Sequence, residues 1–224
     1  MGYNAHMNNP ALTIPLLIQE AQAFAILESL HQEPLLYGVT DGKAVGTYLE
    51  HKFQLFLQER YEFTLGNSAE GIDLPGLLVD FKVTSIKQPQ SSCPFRSARQ
   101  KVYGLGYSLL VFVYEKSDDP SIQSAKLAIK NVVFVKSEHT GDFQTTSGLN
   151  RIIENDGNED DLIAFMSERM LPMDEMQALD LAKEILLNHP LVGYLTISSA
   201  LQWRLQYSRV IKNAGRVEGV IRVL

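Results

Sequence analysis

Three ionisable side chains, Asp73, Asp80 and Lys82, lie close together in the sequence between residues 71 and 85. The Pro75-Gly76 pair between the two acids predicts a tight turn, because proline presets φ at the second turn position and glycine accepts a positive φ at the third. Such a turn makes the segment a hairpin and brings the acids together. Two carboxylates on one sheet face could hold one divalent cation, with Lys82 beside it.

The register of this hairpin decides how far apart the acids lie. We expect Leu74 and Leu77 to flank the turn, which places Asp73 opposite Leu78. Asp73 and Asp80 then form a diagonal pair, roughly 7–8 Å apart at Cα. The opposite face is apolar and consists of Leu77, Val79, Phe81 and Val83. The alternative is an exposed hairpin in which the two acids and the lysine are simply solvated, without a metal ion.

Two amphipathic helices are predicted before the hairpin. The first runs roughly from residue 16 to residue 31 and is ended by Glu33-Pro34. The second starts after residues 40–42 and runs through about Arg60. Glu50 lies at the margin of its apolar stripe, so it is either a surface glutamate or a third acid that completes a metal shell.

The rest of the chain predicts an α/β fold with a mixed central sheet and flanking helices rather than a regular βαβ repeat. We expect strands at residues 61–65, 107–114, 125–135 and 216–224, and helices at 95–104, 159–170, 173–188 and, after the cap Thr196, 197–213. Residues 138–161 are polar and acidic and contain three glycines, which predicts a long loop or insertion.

Composition describes an ordinary globular protein of 224 residues with a formal net charge of −6. No apolar run is long enough for a membrane span and no secretory signal is visible, so we expect a soluble, cytoplasmic protein. One cysteine excludes an internal disulfide. Charge is unevenly distributed: residues 138–180 carry eleven acids against two bases, whereas residues 189–224 carry five bases against one acid. A basic end is compatible with an anionic partner.

Glu50 on a helix, then Asp73, then Asp80-Phe81-Lys82, followed by a helix and a strand, resembles the PD-(D/E)xK nuclease superfamily over roughly residues 40–115. That superfamily includes most type II restriction endonucleases. The resemblance implies Mg²⁺-dependent phosphodiester hydrolysis, with Asp73 and Asp80 as metal ligands. It further implies that Lys82 activates the attacking water and that Glu50 is the accessory acid. One departure is that Ile72 replaces the proline that gives the motif its name.

Basic and amide side chains after the hairpin are candidates for contact with DNA. Gln100 and Tyr103 stand where related nucleases often carry a glutamine and a tyrosine on a helix. Arg96, Arg99 and Lys101 could bind the backbone of the cleaved strand, or they could belong to a solvated basic helix.

The C-terminal segment is similar to the winged-helix DNA-reading domain of bacterial chromosome translocases. The matching positions are Ser199, Leu201, Gln202, Arg204, Leu205, Tyr207, Ser208 and Arg209. A recognition helix around residues 208–213 would offer Arg209, Lys212 and Asn213 to phosphates and base edges, with Arg204 close by in the sequence. The alternative is a basic surface helix packed on the body of the protein.

Together these features predict a type II restriction enzyme that cleaves double-stranded DNA, with Mg²⁺ as cofactor and a homodimer as the default assembly. Residues 1–165 would form the nuclease core and residues 166–224 a helical, winged-helix-like region. The alternatives are a repair or structure-selective nuclease with the same site, and a non-catalytic, sequence-specific DNA-binding regulator.

Overall fold

A computed structural model describes residues 9–66, 71–92, 97–198 and 204–224. The chain forms two units that alternate along the sequence. The first consists of described residues up to 87 together with 111–132 and 223–224, and the second of residues 88–110 and 133–222. The assignment of residues 1–165 to catalysis and of 166–224 to DNA reading stays a prediction.

The described residues form helices and strands in the following order along the chain. The helices are α1 (Ile14–Glu28), α2 (Gly42–Gln58), α3 (Arg99–Tyr103), α4 (Phe143–Glu154), α5 (Glu159–Glu168), α6 (Glu175–Leu187) and α7 (Ser208–Asn213). The strands are β1 (Gln32–Glu33), β2 (Val79–Ser85), β3 (Gln90–Ser92), β4 (Ser108–Asp119), β5 (Ser124–Val135), β6 (Thr196–Ser198), β7 (Arg204–Gln206) and β8 (Val220–Arg222). None of these helices is long and apolar enough to cross a membrane.

The first unit is built on a sheet with the strand order β1-β5-β4-β2. Helix α2 packs closely on β2, since a Cβ atom added at Gly46 would lie 3.9 Å from the Cβ atom of Val83. Between helices and sheet lies an aromatic core in which the ring of Phe53 is 5.2 Å from that of Phe81 and 5.1 Å from that of Phe112. The expected α/β class, with a central sheet flanked by helices, is confirmed.

Helix α2 follows directly from its sequence. The Asp41 side chain caps its first turn by accepting a hydrogen bond from the backbone N–H of Lys43 (3.0 Å). Apolar residues recur every three or four positions and are buried on one side of the helix: Val45, Leu49, Phe53 and Leu57. The two helices expected in residues 16–31 and 40–60 are therefore confirmed, with small shifts of their ends.

The second unit contains a three-stranded antiparallel sheet in the order β3-β7-β6 and a helical cluster formed by α4, α5 and α6. Buried side chains from all three helices form the core of this cluster, among them Leu149, Leu162, Met166 and Ile185. Strand β8 pairs antiparallel with residues 133–135 of β5. The expected helices near 159–170 and 173–188, and the closing strand within 216–224, are confirmed.

The long loop predicted for residues 138–161 is wrong, because α4 occupies half of this stretch and α5 begins within it. Its cap is Asp142, whose Oδ2 atom accepts hydrogen bonds from the backbone N–H and the hydroxyl of Thr145, each 2.8 Å long. Leu149 is completely buried on the inner face of α4. The glycines and acids of this stretch favoured a loop in the sequence, although the stretch contains a short amphipathic helix.

The single helix predicted for residues 197–213 is also wrong. Strands β6 and β7 occupy residues 196–198 and 204–206. Of the described residues in this range, 197–198 and 204–213, only Ser208–Asn213 is helical, as expected for the proposed recognition helix. Among the described residues 61–65, the expected strand is reduced to one isolated bridge between Glu62 and Ala11. Of the expected helix at 95–104, Arg99–Tyr103 is helical, and Arg96 lies outside the described residues.

Candidate active site

The turn between the two acids differs from the expected one. Pro75–Leu77 forms a single 3₁₀ turn, and Leu78 adopts the left-handed conformation (φ 51°) that was expected of Gly76. Leu74 and Val79 pair across the turn through hydrogen bonds between their backbones of 2.9 and 3.2 Å. The predicted pairing of Leu74 with Leu77 is therefore wrong by two residues.

This shift of two residues keeps Asp73, Asp80 and Lys82 on one face, as predicted, but changes the spacing of the acids, and it leaves Leu77 and Leu78 in the turn rather than on the sheet. Continuing the register of the Leu74–Val79 bridge outward by one residue places Asp73 opposite Asp80 rather than diagonal to it. Their carboxyl groups share a hydrogen bond. On the other face Val79 and Phe81 are buried, as expected.

Asp80 is the most deeply placed acid of the site. Only 4% of the residue is exposed, and its Oδ2 atom lies 2.5 Å from Nζ of Lys82. Burial raises the pKa of the Asp80 carboxyl, the Lys82 ammonium lowers it, and the hydrogen bond to Asp73 raises it again. The net result is a pKa of the Asp80 carboxyl well above the usual range of an aspartate.

Asp73 is held in place by two donors from different elements. The backbone N–H of Phe81 donates to Oδ2 (2.7 Å), and the side-chain amide of Gln54 on α2 donates to Oδ1 (3.2 Å). Gln54 was not among the predicted site residues. A signal for it exists in the sequence, since it follows Glu50 by four positions and so lies on the same side of the helix.

Glu50 interacts electrostatically with Asp73 and Lys82. Its pKa is raised to about 7, chiefly by burial and also by the negative charge of Asp73, while the Lys82 ammonium lowers it. Helix α2 therefore supplies both an acid and an amide to the side of the hairpin that carries Asp73 and Lys82. Glu50 is only partly exposed, and its role as a third acid of the site stays a prediction.

The donor chemistry of the hairpin fits a hard divalent cation. Two carboxyl groups joined by a hydrogen bond are a favourable site for such an ion, because its charge would offset the repulsion between them, and Mg²⁺ otherwise keeps several waters. In residues 9–66, 71–92, 97–198 and 204–224, no group of three or more His, Cys, Asp or Glu side chains is arranged to hold a metal ion. A ligand role for Glu50 in addition to Asp73 and Asp80 therefore stays a prediction.

The predicted DNA-contacting residues of α3 form contacts within the second unit. Arg99 forms two hydrogen bonds to the carboxylate of Glu184, 2.5 and 3.1 Å long. Gln100 donates to the carbonyl of Leu105 (3.4 Å), and Lys101 is only 5% exposed, so burial lowers the pKa of its ammonium group. Contact of Arg99, Gln100 and Lys101 with DNA stays a prediction.

The candidates near α7 are more accessible. Arg204 and Lys212 are exposed, whereas Asn213 donates to the carbonyl of Arg209 (2.8 Å). The guanidinium group of Arg209 stacks on the ring of Phe143 at 3.7 Å, and its buried Nε atom has no hydrogen-bond partner among the described residues. Contact of these four residues with DNA stays a prediction.

Comparison with known proteins identifies the family. The model of the family described as "Type II restriction enzyme NspV" matches residues 11–222. The chain is 63% identical over 212 residues to the type II restriction enzyme NspV of Nostoc sp. (strain ATCC 29411 / PCC 7524), which covers 95% of this chain and 96% of that protein. No solved structure matches. We conclude that the chain belongs to the NspV family of type II restriction enzymes, which are site-specific deoxyribonucleases.

Proposed function

We propose that the protein hydrolyses phosphodiester bonds of double-stranded DNA at a specific sequence in a Mg²⁺-dependent reaction, with Asp73, Asp80 and Lys82 as its catalytic residues and Glu50 beside them. The observation that carries the proposal is the hydrogen bond between the carboxyl groups of Asp73 and Asp80, with the Lys82 ammonium 2.5 Å from Asp80. The family to which the chain belongs supports the same reaction class.

In this proposal Asp73 and Asp80 would hold the metal ion. Mg²⁺ at this position would lower the pKa of a bound water and neutralise charge that grows on the phosphate. The protein prepares the site by fixing Asp73 through Gln54 and the Phe81 amide, so that little reorganisation is needed on binding. The superfamily resemblance supports these roles, whereas the chain itself lacks the proline of the motif at position 72.

Lys82 would position the attacking water and stabilise negative charge in the transition state. In the structure its ammonium group is paired with Asp80 and is only partly exposed, at 19% of the side chain. Glu50 could take up a proton at neutral pH, since its pKa of about 7 keeps both protonation states populated there.

We further propose a homodimer located in the cytoplasm. Each chain carries one such acid pair, and cutting both strands of a duplex at one place is most simply achieved by two copies related by a two-fold axis. A repair or structure-selective nuclease could use the same residues. A non-catalytic DNA-binding regulator is disfavoured by the enzyme family.

Incubation of the purified protein with a large unmethylated duplex, in Mg²⁺ and in EDTA, tests the proposal. We expect discrete fragments in Mg²⁺ only, and their ends give the target sequence. Asp80→Asn should abolish the fragments, whereas Lys43→Ala, at an exposed lysine near the start of α2, should leave them unchanged. Cleavage in EDTA, or unimpaired cleavage by Asp80→Asn, would contradict the proposed site. Cleavage restricted to nicked, branched or damaged DNA would favour the repair nuclease.

A further inference from the structure

The three-stranded sheet of the second unit has one apolar and one polar face. Its central strand is β7, in which Leu205 is completely buried. Leu205 is directly opposite Ser91 of β3 and Ile197 of β6, and Ile197 is only 5% exposed. The face that carries this row therefore points into the protein, and the residues before and after each of the three point the other way.

The opposite face carries two rows of three side chains. Because directly opposed residues share a face, Gln206 lies between Gln90 and Thr196, and Arg204 lies between Ser92 and Ser198. None of the six residues is fully buried. Chemically they are two amides, three hydroxyls and one guanidinium, without a carboxylate or an aliphatic side chain. We name them the polar sheet face.

We propose that the polar sheet face reads base edges in the major groove of the DNA substrate, with Gln206 and Arg204 as the principal specificity-determining residues. This inference rests on the proposed function as a DNA endonuclease.

The dimensions of the face support this occupant. Three strands at a spacing of about 4.8 Å span roughly 10 Å, and two residues along a strand span about 7 Å. The major groove is about 12 Å wide and admits β-ribbons as well as helices. A sheet face of this size can therefore lie on the floor of the groove.

The side-chain types of the polar sheet face also support DNA as the occupant. Base edges are read by neutral donors and acceptors and by arginine: a glutamine amide matches the N6 and N7 atoms of adenine, and a guanidinium matches the O6 and N7 atoms of guanine. A face that binds another protein would instead be expected to carry aromatic or aliphatic side chains. The two central positions of the polar sheet face are a glutamine and an arginine, the residue types of the commonest specific contacts.

The surrounding charge also favours DNA over other partners. From Arg204 to Val217 the chain contains four bases and no acid: Arg204, Arg209, Lys212 and Arg216. Such basic residues can bind phosphates and fix the register of the duplex, while the neutral side chains of the sheet select the sequence.

The sheet is anchored so that this face is rigid. The outer edge of β6 is tied to α4, since the backbone N–H of Ile197 donates to Oδ1 of Asp142 (2.8 Å). At the other edge, the Tyr207 hydroxyl lies 2.6 Å from Oγ of Ser91, and the Tyr207 N–H donates to the carbonyl of Pro89 (2.8 Å). Side chains fixed to a rigid frame lose little entropy on binding, which favours a reading surface.

The test uses the target sequence obtained from wild-type cleavage and compares two duplexes, one with this target and one with it scrambled. Affinities are measured with Ca²⁺ in place of Mg²⁺, over a range of salt concentrations. For Gln206→Ala and Arg204→Ala we expect the ratio of specific to non-specific affinity to fall roughly 10- to 100-fold. Matched exposed controls elsewhere, Gln19→Ala and Arg151→Ala, should keep the wild-type ratio.

Two results would overturn the inference. One is a wild-type affinity ratio in both variants. The other is an equal loss of affinity for both duplexes together with a reduced salt dependence, which is the signature of a phosphate contact. If an alanine variant fails to fold, as judged by its circular dichroism spectrum, Gln206→Glu and Arg204→Lys keep the size of the side chain and replace it in the same measurement. A wild-type protein that cleaves no duplex would instead mean that the proposed function has failed.

Discussion

The Nζ atom of Lys82 lies 2.5 Å from Oδ2 of Asp80, and only 19% and 6% of the two side chains are exposed. A lysine this close to a buried acid stabilises the acid's charge when no cation is bound, and it is also in position for the reaction. Both partners lie on β2, two residues apart on one face, so the strand alone fixes their distance.

Replacement of the lysine should separate catalysis from binding. We expect Lys82→Ala to lower the cleavage rate about 10²- to 10⁴-fold, because the group that orients the water and stabilises charge is lost. Binding of the target duplex should change only a few-fold. The measurement is single-turnover cleavage together with titration of the duplex in Ca²⁺. A variant that loses binding and cleavage in equal proportion would show that Lys82 is a binding residue only.

The stability of the metal-free protein should depend on pH through Glu50. Its folded-state pKa of about 7 lies above the ordinary value of 4.5, so the folded state binds more protons than the unfolded state between these values. The free energy of unfolding should therefore fall as pH rises from about 4.5 to 7 and stay low above that. Glu50→Gln should recover about 1–3 kcal/mol at pH 8, because the amide cannot ionise.

Denaturant unfolding in EDTA at several pH values measures this effect. The matched control is Glu59→Gln, at an exposed position just after α2, which should follow the wild-type pH profile. Asp80 contributes in the same direction, so Glu50→Gln should reduce the pH dependence without removing it. An unchanged profile in Glu50→Gln would mean that its carboxyl is not buried in solution.

Gln54 should act as a positioning residue for Asp73. Loss of its hydrogen bond in Gln54→Ala leaves the Asp73 carboxylate free to rotate, and we expect the affinity for Mg²⁺ to fall about 10- to 100-fold. Isothermal titration of the DNA-free protein measures the affinity independently of cleavage. Gln58→Ala, one turn further along α2 and exposed, provides the control. Equal affinities of the two variants would exclude a positioning role.

A close approach of two backbones should make Gly193 indispensable to the second unit. A Cβ atom at this position would lie 2.2 Å from the carbonyl carbon and oxygen of Gly141. We expect Gly193→Ala to lower the free energy of unfolding by about 1–3 kcal/mol or more, since backbone atoms must move. Gly76→Ala, in the turn beside the acids, meets nothing within 4 Å and should change stability little. Thermal unfolding of both variants makes the comparison.

The sequence was informative where a motif and a strong local pattern coincide. The spacing of Val45, Leu49 and Phe53 predicted α2, and alternation predicted the buried face of β2. The detail of the turn was not predictable from Pro75-Gly76, because a 3₁₀ turn that ends in a left-handed Leu78 is an uncommon choice. Both acids still lie on the predicted face of the hairpin, because the predicted register was wrong by an even number of residues.

Elsewhere local propensity was misleading. Residues 204–206 contain helix-forming types, but pairing with β3 and β6 on both sides makes them a central strand. Gln54 was missed because a single amide on a helix has no signature until its partner, Asp73, is placed beside it. Arg99 and Lys101 were assigned by charge alone, which does not reveal that one is paired with Glu184 and the other is buried.

The hydrogen bond from the Phe81 amide to Asp73 gives the site a built-in spectroscopic reporter. An amide proton held by a carboxylate changes its chemical shift when that carboxylate binds a cation. The occupancy of the acid pair could then be followed in solution from one backbone resonance, without a substrate and without altering any residue of the protein.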